Sequence, residues 1–197
     1  GIETRLINVR KSEKNAQTAA DFSYMAEADG LLIIFPLYIF CTPGLLTRFL
    51  QDYYDFMRVR QDGVKKAVVY TVVNCGFPEP EINSEAVRVI QSFSEKIGAE
   101  FRFGILIGSG GLLLGAQNAP FVKKAMAKLD GAYDVMKTEV LTGRRGNVKN
   151  LNIRINFPRK LYFFAGDRGW VATAKKNGLN KKDLYARPYA TRHPNTI

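Results

Sequence analysis

Short apolar runs alternate with helix-length amphipathic segments along most of this chain, a pattern that points to a parallel β-sheet with helices on its faces, an α/β fold. Ile2 to Val9, "IETRLINV", reads as a first, half-buried strand, and Asn15 to Ala28 as a short helix stopped by Asp29-Gly30. Leu31 to Phe35, "LLIIF", is continuously apolar, as expected of a central strand covered on both faces. Thr42 is predicted to cap the next helix, with Pro43 at its first position and Leu46, Phe49, Leu50, Tyr53 and Met57 along one face. Ala67 to Val73 is a β-branched strand. Ser84 is predicted to cap a helix whose stripe is Ala86, Ile90, Phe93 and Ile97 before the stop at Gly98. Phe101 to Ile107 is another strand, and a long helix is predicted from Pro120 to Thr138 with Val122, Met126, Leu129, Tyr133 and Met136 facing inward.

The 197 residues suit one domain of ordinary size. No apolar run approaches membrane-spanning length and no basic-then-apolar signal opens the chain, so a cytoplasmic location without membrane insertion is expected. Cys41 and Cys75 lack metal-like spacing and read as reduced thiols. A lone histidine, His193, excludes His-rich zinc sites and argues against a Ser-His-Asp or Cys-His machine. Reactive chemistry, if present, is therefore expected from a bound cofactor.

The net charge of +11 is uneven: residues 137–197 carry fourteen Lys and Arg against three acidic residues, while residues 1–136 are balanced. Arg144, Arg145, Lys149, Arg154, Arg159 and Lys160 interleave with Phe157, Tyr162, Phe163 and Phe164, a mixture that nucleic-acid binders use. The competing expectation is that "LYFF" is the buried face of a docked helix with its cations outward.

Pro36 to Cys41, Asn74 to Glu81 and Gly108 to Gly115 follow predicted strands, at the edge where open α/β sheets bind ligands. Tyr38 and Phe40 offer aromatic faces, Pro36 stiffens the turn, and Asn74 with the backbone around Gly76 offers polar contacts, a set suited to a flat heteroaromatic ring. The same residues would equally serve a dimer interface or core packing. The "GSGG" run at Gly108 to Gly111 lacks the Lys-Ser/Thr of a phosphate-cradling loop, and a close backbone approach within the fold is its other reading.

Together, Ala28-Asp29-Gly30 leading into an apolar strand, Pro36-Leu37-Tyr38, Pro43, the Cys75-Gly76-Phe77-Pro78-Glu79 loop and "GILIGSGG" resemble the flavodoxin-like NAD(P)H-dependent FMN reductase family. The resemblance implies a flavodoxin-like three-layer sandwich over residues 1–145, with a basic extension at 146–197 packed on the same domain. It implies that a strand, a phosphate-holding loop and a helix precede Gly1 in the complete protein. It further implies FMN contacted by Pro36, Leu37, Tyr38, Ile39, Phe40, Asn74, Cys75, Gly76 and Phe77, with NADPH or NADH as co-substrate. Reducing equivalents would pass to a small-molecule or protein acceptor, with no residue required as a proton donor. The apolar loop at Leu37 to Phe40 separately suits a homodimer with the flavin near the subunit boundary. A flavodoxin-type carrier without reductase activity is the alternative, and a basic module for nucleic acid or an acidic partner is the third.

Overall fold

The computed structural model describes residues 3–60, 67–116 and 118–187. These form two compact units, Gly1–Asn156 and Phe157–Ile197. The division falls at 156/157 rather than at 145/146, because residues 151–153 add a strand to the sheet of the first unit.

That first unit contains α1 (Val9–Lys14), α2 (Thr18–Glu27), β1 (Gly30–Pro36), α3 (Gly44–Val59), β2 (Val68–Asn74), α4 (Ser84–Lys96), β3 (Glu100–Ile107), α5 (Gly110–Gly115), α6 (Pro120–Thr142) and β4 (Leu151–Ile153). The four strands are parallel, in the order β1-β2-β3-β4. This is the α/β sheet flanked by helices that the alternating pattern predicts, arranged as a three-layer sandwich.

Side-chain alternation assigns the two faces. Ile33, Phe35, Val69, Val73 and Leu106 point to one side, against Leu46 and Leu50 of α3 and Ala86, Val87 and Ile90 of α4. Each such side chain, fully buried, contributes on the order of 2 kcal/mol. The predicted α3 stripe is buried throughout. On the opposite face, α6 buries Val122, Ala125, Leu129, Ala132, Met136 and Glu139. Its inward stripe therefore runs through Ala132, with Tyr133 exposed, because the small alanines permit close approach to the sheet.

Several expected elements differ. Residues 3–8 form no strand and Leu6 is 95% exposed; β1 pairs only with β2 among the described residues, so no ladder exists for this segment to join. β1 is accordingly covered on one face only: Ile33 and Phe35 are buried, while Leu32 and Ile34 face outward, Ile34 at 63% exposure. Pro43, not Thr42, occupies the N-cap of α3, and the Thr42 hydroxyl pairs with that of Thr47 at 2.8 Å. Asn83, not Ser84, is the N-cap of α4, which a 3₁₀ turn over Pro80–Asn83 leads into.

Candidate functional site

The carboxyl ends of β1 and β2 lie side by side, with Pro36 in register with Asn74. Leu37 N donates to Asn74 O at 2.7 Å, so the two following loops start from a shared point. Beyond Leu37 the chain makes a tight hairpin turn. Tyr38 N donates to Cys41 O at 2.9 Å and Cys41 N donates back to Tyr38 O at 3.1 Å. The central pair, Ile39 and Phe40, takes φ of 48° and 61°. Such a turn favours Asn-Gly, and a β-branched residue there is strained by about 1–2 kcal/mol.

The strain presents an apolar surface to solvent. Ile39 is 85% exposed, and Tyr38 and Phe40 are also exposed. Phe40 stacks on Phe77 of the second loop, ring centroids 5.7 Å apart and planes inclined by 22°. Phe77 remains 40% exposed. Of the nine residues expected to touch a ring, the structure thus joins Tyr38, Ile39, Phe40 and Phe77 in one exposed patch, with the exposed Pro36 and the half-buried Leu37 and Asn74 at the strand ends from which the two loops start.

Cys75 is placed differently. Its N–H donates to Ile107 O at 3.0 Å and its carbonyl accepts from Gly110 N at 2.9 Å. The buried thiol points toward Phe77 O and Glu79 O at 3.5 and 3.8 Å. Burial pushes this thiol up, offset in part by hydrogen bonds involving the Phe77 backbone and the Asn83 side chain. Cys75 is a brace for its loop. Alkylation at neutral pH followed by peptide mass mapping is expected to label the half-buried Cys41 first, with Cys75 modified only as the fold opens.

The glycine run closes the base of the site. Gly108 N donates to Ile153 O at 3.0 Å, Ser109 N to Phe77 O at 2.7 Å and Gly110 N to Cys75 O. Ser109 is buried in the left-handed region. A Cβ on Gly108 would lie 2.6 Å from Pro78 O, and one on Gly110 2.7 Å from Asn74 Nδ2. The close-approach reading of "GSGG" is the one observed. A six-residue helix, α5, starts within the run, where the sequence showed no obvious helix.

Among the described residues no group of His, Cys, Asp and Glu could hold a metal ion, and His193 lies outside them. The basic residues considered for nucleic acid are not one stripe. Arg154 pairs with Glu81 at 2.6 Å and Arg145 pairs with Glu100, both within the first unit.

Replacing Ile39 by glycine removes the left-handed penalty while deleting an exposed side chain. The expected result is a gain of about 1 kcal/mol in denaturant unfolding. The same change strips apolar surface from the turn, so strain and candidate function sit on one residue.

No family model and no curated protein matches the sequence. Among solved structures, the chain is similar to a thermophilic tryptophan halogenase from Streptomycin violaceusniger, with a TM-score of 0.47 and 20% identity over 56% of this chain and 72% of that one. It is also similar to general stress protein 14 of Treponema denticola, in complex with FMN, with a TM-score of 0.43 and 19% identity over 61% of this chain and 78% of that one.

Proposed function

We propose that this chain binds FMN against the loops after β1 and β2 and passes reducing equivalents from NAD(P)H through it to an acceptor. The observation that carries the reading is the Phe40–Phe77 stack, which joins two exposed loops at the carboxyl edge of adjacent parallel strands. The segments concerned are those that resemble the FMN reductases.

The residues present suit the ring end of FMN. Tyr38, Ile39, Phe40 and Phe77 supply apolar and aromatic surface that a planar ring would cover, and Asn74 lies at the base of the patch. The phosphate end finds no cradle in the glycine run, whose Gly108, Ser109 and Gly110 N–H groups all bond within the fold. Held against Tyr38, Phe40 and Phe77, FMN would supply the hydride and electron-transfer chemistry that these side chains lack. The chain orients the ring, shields one side of it from water and holds the two loops at fixed spacing through Cys75 and Phe77.

The test is titration of the full chain with FMN, followed by anaerobic addition of NADH or NADPH. Saturable quenching of flavin fluorescence and bleaching at 450 nm or so are expected, the absorbance being a property of the oxidised cofactor. Joint Phe40→Ala and Phe77→Ala replacement is expected to weaken FMN about ten-fold. Failure to bind FMN overturns the proposal. Bound flavin that neither nicotinamide bleaches replaces reductase with electron carrier.

A further inference from the structure

The second unit is α7 (Arg159–Lys176) followed by a 3₁₀ turn over Lys181–Tyr185. Leu179 N donates to Ala174 O at 2.9 Å, and Ala174 is the one buried residue of α7. Among the described residues this unit has no core of its own. Isolated helices of this length are marginal in water, so a surface that covers α7 would stabilise it.

One side of α7 carries Tyr162, Phe163, Gly166, Gly169, Trp170 and Thr173, a stripe at helical spacing that is free of charge. Phe163 is exposed, with the Arg159 guanidinium over its ring at 5.3 Å from the centroid, and Trp170 is 69% exposed. Cations border the stripe. Residues 157–187 carry eight Lys and Arg against two Asp, with Arg159-Lys160 at one end of the helix, Lys175-Lys176 at the other and Lys181-Lys182 beyond. On the far side Arg168 lies over the Phe164 ring at 4.7 Å from its centroid, so that ring is partly covered.

We propose that α7 docks in the plane of an anionic phospholipid bilayer, its aromatic stripe in the headgroup region and its cations on lipid phosphates. The charge complementarity selects this occupant. A second copy of α7 would set Arg159-Lys160 against either the same pair or Lys175-Lys176, repulsive in both orientations. Nucleic acid would use the aromatic rings but leave Leu179 and Leu184, both exposed, without cover. Aromatic residues with flanking Lys and Arg suit the boundary between headgroups and acyl chains. The segment between the basic pairs, residues 161–174, spans roughly 21 Å as a helix, too short to cross a hydrocarbon core of about 30 Å. No helix among the described residues is long and apolar enough to cross a membrane.

Trp170 is the only tryptophan and reports on the stripe directly. The full chain is mixed with phosphatidylcholine vesicles with or without phosphatidylglycerol. With the anionic vesicles, Trp170 emission is expected to move to shorter wavelength and to be quenched by brominated acyl chains, while neutral vesicles leave it unchanged. Raising salt from about 0.1 to about 0.5 M is expected to weaken binding ten-fold or more. Lys175→Glu with Lys176→Glu, both at exposed positions, is expected to weaken it by about ten-fold or more with the far-ultraviolet circular dichroism unchanged. Four results overturn the proposal: equal binding to neutral vesicles, a response to duplex DNA or RNA but not to vesicles, a concentration-dependent shift without lipid, or Trp170 already shielded from iodide in buffer.

Discussion

Glu139→Ala is expected to lower unfolding stability by about 3 kcal/mol, the largest loss from any single side chain outside the apolar core. Glu139 is 6% exposed and accepts from Arg102 Nη2 at 2.8 Å, Arg102 Nε at 3.1 Å, Tyr70 Oη at 3.0 Å and Gly146 N at 3.2 Å. One carboxylate therefore joins α6 to β2, to β3 and to the segment that leads into β4. Alanine would leave the part-buried Arg102 guanidinium with Glu100 as its remaining acid, at 3.0 Å, and would strand the Tyr70 hydroxyl. Urea midpoints of wild type and variant measure the loss. A change below about 1 kcal/mol would mean that water or a neighbour replaces the carboxylate.

The same cluster fixes two pH limits. Hydrogen bonds from Arg102 first, against the cost of burial, hold the Glu139 carboxyl below the usual carboxylate range. A depressed value means that its contribution is complete above the unfolded pKa of about 4.3 and is lost as pH falls through the lower folded value. Glu139→Gln should flatten that acid limb. Burial first, then the bond donated to Glu139, pushes Tyr70 up to about 12. Its contribution is present below the unfolded value of about 10 and disappears as pH rises from there through about 12; Tyr70→Phe should reduce that limb, and Tyr53, which burial also pushes up to about 12, should carry what remains.

Glu139 also shows what the sequence could and could not announce. The long helix that carries it was legible from its apolar spacing, as were the α3 stripe and the β-branched run of β2, because those signals are local and repeat. A single acidic residue about five turns along that helix has no local mark; its burial depends on Arg102 arriving from β3. β4 was missed for a similar reason. Leu151–Ile153 is three residues long inside a basic segment, and it becomes a strand because β3 offers a ladder and because Asn150 Oδ1 accepts from Gly104 N at 2.8 Å. The opposite error befell residues 2–9, where an alternating pattern predicted a strand and nothing among the described residues pairs with it. Ile39 and Phe40 lie between these cases. Their exposure in a loop was legible as a cost needing a partner, but a left-handed turn runs against both residues' propensities, and two backbone bonds between Tyr38 and Cys41 impose it.

Gly108→Ala tests whether the candidate site depends on the packing beneath it. The new Cβ would meet Pro78 O at 2.6 Å and Pro80 N at 3.0 Å. Both are backbone atoms, so no rotamer change relieves the overlap and one loop must move. Movement lengthens the bonds from Ser109 N to Phe77 O and from Gly110 N to Cys75 O, which together position Phe77 against Phe40. The expected loss is about 2–3 kcal/mol in stability, with FMN binding weakened ten-fold or more. Gly111→Ala is the matched comparison. It lies in the same run, a Cβ there would have open space, and it sits within α5, where alanine is favoured over glycine by up to about 1 kcal/mol. Neighbouring glycines should therefore respond with opposite signs. Equal behaviour of the two variants in unfolding and flavin titration would show that loop spacing is not set by this contact, and the site would then have to rest on the strained turn alone.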